Sequence, residues 1–384
     1  MIARLGDVCT KITDGSHNPP QGIPHSEYLM LSSKNIYDDE ITLDDPRFLS
    51  AENYATENKR TQISPGDILL TIVGTVGRAA VVSNSIKNIC LQRSVAVIKP
   101  KSNLIDSRFL MYQLQSMRTH LEQEARGVAQ KGIYLKQVEN LQIKVPSVDE
   151  QLQVVKMLDK VSELIALRKE QLAALDQLVK SRFIELFGDI VLNPFNWEKE
   201  QLGMVCDVRD GTHDSPQYYE TGYPLVTSKN VTGGKIDLTD CSLICEADFN
   251  KINERSKVDI GDIIMPMIGT VGKPVIVDVE PNFAIKNVSL IKFKDHSRVL
   301  NIFIRALLQS DYFDEAVLSK VRGGTQKFIS LGDIRKLAAI VPPMALQEQF
   351  AAFVEQTDKS KLAIQRSLDE LETLKKALMQ KHFG

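Results

Sequence analysis

At 384 residues, with 43% hydrophobic and 25% charged side chains, the chain has room for two domains of roughly 150 residues each. No apolar run approaches the ~18 residues of a membrane span, and a formal net charge of −2 rules out a uniformly basic nucleic-acid binder, so any phosphate contact must be local or shared with a partner. Five separated cysteines and an N-terminal segment without an apolar signal core point to a reducing, cytoplasmic setting with no membrane partner.

The first 148 residues alternate short apolar runs with turn signals. Cys9 lies in the apolar stretch Leu5-Gly6-Asp7-Val8-Cys9 and reads as a small core residue. Asp14-Gly15-Ser16-His17 reads as a polar turn. Tyr28 to Ile36 is a strand running into Lys34-Asn35. Gly66-Asp67, Ile68 to Val73, Gly74-Thr75-Val76-Gly77 and Ala79 to Val82 predict strand, glycine turn, strand. Helical periodicity covers Ser107 to Ala125, followed by the polar segment Arg126 to Ile133.

From Glu150 to Phe187 there is no proline or glycine, and Val154, Leu158, Val161, Ile165, Leu172, Leu175, Val179 and Leu186 form a 4-3 ladder. Such a helix of ~37 residues is roughly 55 Å long.

The second half repeats the first. Asp210-Gly211-Thr212-His213, Tyr223 to Val231, Gly269 to Gly272, Arg322 to Ile329 and Cys206 return 195 to 197 residues after their counterparts. A helical pattern spans Ser297 to Lys320. A second ladder, Phe350, Val354, Ile364, Leu368, Leu371 and Leu378, ends the chain. Two amphipathic helices of this length should pair, and an antiparallel pairing places the modules at opposite ends of a rod with Gly384 close to Met1. The fold class predicted is α+β: repeated modules at 1–148 and 189–345, and spacer helices at 149–188 and 346–384 forming a pseudo-two-fold antiparallel coiled coil.

The motifs argue for binding rather than catalysis. The GTVG turns lack the P-loop and dinucleotide patterns. Each precedes one cation, Arg78 or Lys273, so it is a tight hairpin turn or one that also presents a charge to a phosphate. Asn18-Pro19-Pro20-Gln21 approaches the base-holding loop of amino-methyltransferases, but the stacking aromatic is missing and no S-adenosylmethionine glycine motif exists. His17 and His213 lack an accompanying nucleophile or metal set, which leaves a groove contact or a structural turn. Cys241 and Cys245 lack a second ligand pair at zinc spacing.

Lys34-Asn35 and Lys229-Asn230 have the chemistry of groove contacts: Lys for guanine or phosphate, Asn for adenine. Solvated turns are the alternative. Arg126, Gln130 and Lys131, with Arg322, Gln326 and Lys327, combine cations and an amide in the most DNA-like segments. Arg93 and Lys286, cations near the strands that follow each turn, complete the candidate set.

The order module, long helix, module, long helix, with paired GD…GTVG and RGxxQ…I segments, resembles the specificity subunit of type I restriction-modification systems. So do the lead-ins to each helix, Val145-Pro146…Glu150-Gln151 and Val341-Pro342…Glu348-Gln349. The resemblance covers the whole chain. It implies target recognition domains that each read half of a split double-stranded DNA sequence. It also implies helices that set the gap and dock two modification subunits, with restriction subunits added. S-adenosylmethionine, ATP and Mg2+ are then expected on the partner subunits, with no metal, cofactor or catalytic role for this chain. Two alternatives stay open: a specificity subunit serving a single fused restriction-methylation polypeptide, and a coiled-coil scaffold with no DNA role.

Overall fold

In the computed structural model, the duplicated halves become two packing units, Met1–Lys169 with Arg366–Gly384 and Glu170–Gln365. The structure describes residues 1–125, 131–268, 271–294, 297–317 and 328–384.

Unit 1 begins with β1 (Ile2–Arg4), β2 (Cys9–Asp14), β3 (Tyr28–Leu31), β4 (Arg47–Leu49) and α1 (Ala51–Thr61). β5 (Ile68–Thr71), β6 (Ala79–Val81), β7 (Ile89–Leu91) and β8 (Val95–Pro100) follow. α2 (Ser107–Ser116), α3 (Arg118–Glu124), α4 (Leu135–Glu139), β9 (Gln142–Lys144) and the start of α5 (Val148–Phe187) complete the run.

The strands β2-β8-β5-β6 form an antiparallel sheet, while β3 pairs antiparallel with β4 and parallel with β7 in a second one. The central strands are buried on both faces, and their side chains alternate as the pleat demands. Ile68, Leu70, Ala96 and Ile98 face α2 and α5, whereas Leu69, Val95 and Val97 pack on Leu31, Ile36 and Leu91 of the second layer.

Unit 2 repeats this order with β10 (Glu198–Gln201), α6 (Leu202–Val205), β11 (Asp207–Asp210), β12 (Tyr223–Val226), β13 (Val231–Thr232), β14 (Lys235–Ile236) and β15 (Ser242–Ile244). α7 (Glu246–Ser256), β16 (Ile263–Pro266), β17 (Val275–Ile276), β18 (Ala284–Ile285) and β19 (Val288–Lys292) come next. α8 (Asn301–Leu308), α9 (Asp311–Ala316), α10 (Leu331–Lys336), β20 (Ala338–Val341) and α11 (Met344–Phe383) close the chain. Its sheets, β11-β19-β16-β17 and β15-β12-β18, match those of unit 1, and Cys206, like Cys9, is a buried core residue. Burial pushes both thiols up to about 12.

The α5 helix starts on a capping box. Ser147 and Glu150 bond each other's backbone N–H at 2.9 and 3.4 Å, and Gly188 in the left-handed region ends it. In both units α5 and α11 run antiparallel. Arg168 meets Ser367 at 3.2 Å and Lys169 meets Glu372 at 3.4 Å in unit 1, while Asp176 meets Lys361 at 2.6 Å and Phe183 packs on Phe350 in unit 2.

The ladder residues divide by position. Val154, Leu158, Val161, Phe350, Val354 and Leu368 are buried, whereas Ile165, Leu172, Leu175, Val179, Leu186, Ile364, Leu371 and Leu378 are half-buried. Val154, Leu158, Phe350 and Val354 belong to the cores of the sheets, so they are more than a helix-pair seam. Met1 and Gly384 both reach the end of β9. The Met1 amine donates to Val145 O at 3.3 Å, and Lys144 Nζ donates to Gly384 O at 2.8 Å.

Two expectations need correction. The helix predicted over 107–125 breaks at Met117, whose N–H turns back to Gln113 and Leu114; the helix predicted from 297 breaks at Gln309 and Ser310, with 318–320 outside the described residues. The second correction concerns the lead-in motif, because the partner of Gln151 is Gln347 and not Gln349. Gln151 Oε1 accepts from Asp106 N at 2.7 Å while its amide donates to Leu104 O and Pro146 O, and Gln347 does the same with Leu300 N, Arg298 O and Pro342 O. Among the described residues no helix is long and apolar enough to cross a membrane.

Candidate nucleic-acid interface

In unit 1 the described candidate residues converge on one edge, where β2, β3, β5 and β7 end and β8 begins. Short hydrogen bonds tie the edge together: Lys131 O accepts from Gly74 N at 3.0 Å, the Ser94 side-chain Oγ from Ser33 N at 3.1 Å, and Ser16 O from Arg93 N at 2.9 Å. Gly15 has no room for a side chain, since a Cβ there would sit 2.1 Å from Leu91 O. Gly211 is equally confined, at 2.4 Å from Ile285 O. This close approach locks the polar turn after β2 or β11 onto the strand end beside it.

The turn carries a constellation that occurs in both units. Asp14, with its side chain only 8% exposed, accepts from His17 Nε2 at 2.8 Å and from the Arg60 guanidinium at the end of α1. Asp210 is 9% exposed and accepts from His213 Nε2 at 3.0 Å and from Arg255 at the end of α7. Paired donors of this kind offset the hydration that a carboxylate loses on burial. The arrangement orients each imidazole at the exposed edge. His213 has a second partner, Asn287 Oδ1 at 2.9 Å from Nδ1, and this bond, then the Asp210 bond, raises its pKa above the usual histidine value.

Reading the motifs alone missed Arg60, Arg255 and the two aspartates as members of this group. The signal was present, since Arg60 and Arg255 are 195 residues apart, the spacing of the repeat.

Two candidates change role. Asn35 is 1% exposed, its Oδ1 accepting from Ser32 N and its Nδ2 donating to Asp44 O at 2.8 Å. Asn230, likewise buried, accepts from Thr227 N and donates to Asp240 O at 3.2 Å. Both carboxamides are used up in shaping a turn, so neither is a base reader. The lysines beside them differ: Lys34 pairs with Asp45 at 2.5 Å, and Lys229 is exposed.

The remaining candidates keep their place at the surface or near it. Asn18, Arg93, Lys131 and Lys273 are exposed. Arg78, half-buried, has its Cζ 4.9 Å from the centroid of the Tyr37 ring, a cation–π contact. Lys286 is 9% exposed and donates to Ser215 Oγ at 2.7 Å. Arg126, Gln130, Arg322, Gln326 and Lys327 lie outside the described residues. Chemically, these edges offer N–H donors and positive charge, which suits phosphate oxygens and base edges. Among the described residues no group of three or more metal-ligating side chains forms.

The type I restriction modification DNA specificity domain profile matches residues 2–177 and again 194–373. The chain belongs to this family. The type I restriction enzyme MjaVIII specificity subunit of Methanocaldococcus jannaschii is 25% identical over 341 residues, which is 84% of this chain and 79% of that one. The EcoBI specificity subunit of Escherichia coli is 36% identical over 129 residues, 33% of this chain and 27% of that subunit. In fold, the chain matches a crystal structure of the type I restriction-modification S subunit from M. genitalium with a TM-score of 0.58 at 15% identity, over 100% of this chain and 96% of that one.

Proposed function

We propose that this chain is the DNA-reading subunit of a type I restriction-modification complex, with each module binding one half of a bipartite double-stranded target. The observation that carries this reading is the duplicated edge. Two modules present the same histidine-bearing turn and nearby exposed cations on the same backbone frame. A family of specificity domains matched twice along the chain supports it.

In this reading α5 and α11 set the unread gap between half-sites and dock two modification subunits, which hold S-adenosylmethionine and methylate adenines. Restriction subunits supply ATP- and Mg2+-dependent translocation and cleavage. The exposed apolar side chains on the long helices, Leu152, Leu167, Leu178 and Ile184 on α5 and Leu362 and Leu374 on α11, support docking there. Linking two modest half-site recognitions makes the second binding step intramolecular, so the pair is more selective than either alone.

Mixing the chain with its modification subunit, S-adenosylmethionine and genomic DNA, then mapping methylated adenines, tests the proposal. A split motif is expected with the mixture and no methylation with the chain alone. Methyl transfer by the isolated chain, or a continuous motif, would overturn it.

A further inference from the structure

The two modules share their scaffold at the edge but differ at one turn, the two residues that follow β7 and β18. In unit 1 these are Gln92 and Arg93, and in unit 2 Lys286 and Asn287. Their backbones are held alike. Gln92 N donates to Leu31 O at 2.9 Å and Lys286 N to Val226 O at 2.9 Å. Arg93 N then donates to Ser16 O at 2.9 Å and Asn287 N to Thr212 O at 3.2 Å. Both turns thus lie against the histidine-bearing turn, and the His, Asp and Arg of the anchor are the same in each unit.

The side chains displayed on this shared frame are different. Unit 1 has Arg93, exposed and without a side-chain partner among the described residues. In unit 2 the cation moves back one position, to Lys286, which is largely buried against Ser215, and the outer position becomes Asn287. The turn is also one residue shorter there. Gly15 N bonds Val95 O, two residues after Arg93, whereas Gly211 N bonds Val288 O, one residue after Asn287. Asn287 closes the shorter turn in the left-handed region, at φ 55°, a conformation that asparagine tolerates better than most residues. When the His213 imidazole carries both protons, its Nδ1 donates to Asn287 Oδ1, and the Asn287 NH2 remains a donor.

We infer that this turn is a specificity-determining position of each module: Arg93 reads a guanine in the half-site of unit 1, and the Asn287 amide reads a base acceptor in the half-site of unit 2. The inference rests on the DNA-reading function proposed above. An unpaired guanidinium fork suits guanine O6 and N7, and an NH2 donor with its oxygen already engaged suits a single acceptor such as a purine N7 or thymine O4. Modules that read different half-sites need identical positioning groups and different base-facing groups. The anchors supply the first and this turn the second.

Selection of sequences from randomised duplex DNA by the full chain and by three variants tests this. Arg93→Asn should change the preferred base at one or two adjacent positions in one half of the motif, weaken binding of the parent's motif about tenfold or more, and leave the other half unchanged. Arg93→Lys, which keeps the charge and removes the fork, should lose the guanine preference while retaining most non-specific affinity. Asn287→Gly, which tolerates the left-handed backbone, should alter only the other half. A parent motif that all three variants still select, or a loss of affinity spread evenly over all sequences, would overturn the inference and leave the DNA-reading function standing. A parent that selects no motif would overturn that function as well.

Discussion

The long helices are seated in the two units by opposite chemistry. In unit 2 four rings interlock: Phe183 and Phe187 of α5 each pack on Phe303 of α8 and on Phe350 of α11, at centroid separations of 4.8 to 5.6 Å. In unit 1 the counterparts of Phe183 and Phe350 are Met379 and Val154, and a single ring pair remains, Phe109 with Phe383 at 5.1 Å. Polar groups occupy the neighbouring space. Asp39 accepts from Lys375 Nζ at 2.7 Å, Gln115 Nε2 at 3.2 Å and Ser162 Oγ at 3.3 Å, joining a turn, α2, α5 and α11 through one carboxylate. Beside it the Tyr112 hydroxyl, raised in pKa by burial, donates to Asp159 at 2.7 Å, and Arg108 Nε does the same. Where unit 1 has Asp39, unit 2 has Gly234, with open space around it. One duplicated frame therefore accepts both an apolar and a polar seat. The apolar seat gains by burial, while the polar seat holds chiefly because removing one member strands the others.

The largest effect expected from this contrast is in the rings. Phe303→Ala should cost unit 2 about 3–5 kcal/mol, and Phe109→Ala should cost unit 1 less, near the bottom of that range. Denaturant unfolding of both variants measures the difference, and equal losses would erase the distinction between the seats.

Next in size is the polar clamp. Asp39→Ala should destabilise unit 1 by about 1–3 kcal/mol, since Lys375 loses its carboxylate partner. Adding Lys375→Met should cost little more than either change alone. Strictly additive losses in that double-mutant cycle would mean that the carboxylate and the ammonium do not act together.

Smaller still, and alike in the two units, is the loss of the anchor arginines. Arg60→Ala and Arg255→Ala should each cost about 1 kcal/mol, the modest value reflecting guanidiniums that are half or more exposed. A clear inequality would show that the anchors, like the seats, have diverged.

The smallest effect is a titration. Because His213 is raised above its unfolded value, its protonated form stabilises unit 2 below the ordinary histidine pKa, and that contribution fades as pH rises through the folded value. Asn287→Gly removes the larger of its two hydrogen-bond causes, so the titration followed by NMR should move down toward the usual value. An unmoved titration would assign the shift to Asp210 alone.

The sequence by itself determined the features that repeat over short range. The duplication, the proline-free 4-3 ladders of α5 and α11, and the glycine turn between β5 and β6 depend on backbone periodicity and turn chemistry, which neighbouring residues specify. It also identified the turn containing His17 and its copy at His213, because both halves spell it almost identically. Only the tertiary structure decided what those side chains do. Asn35 and Asn230 have the chemistry of base readers, yet their hydrogen bonds go to backbone groups a few residues away in the folded turn. Arg60 joins Asp14 across 46 residues of chain, and Gln347, not Gln349, ties α11 to the residues before α8. A side-chain hydrogen bond depends on where a distant backbone atom arrives, and local periodicity does not carry that information. The different seats of the two units make the same point, since Gly234 in place of Asp39 acquires meaning only once α5 and α11 are packed nearby.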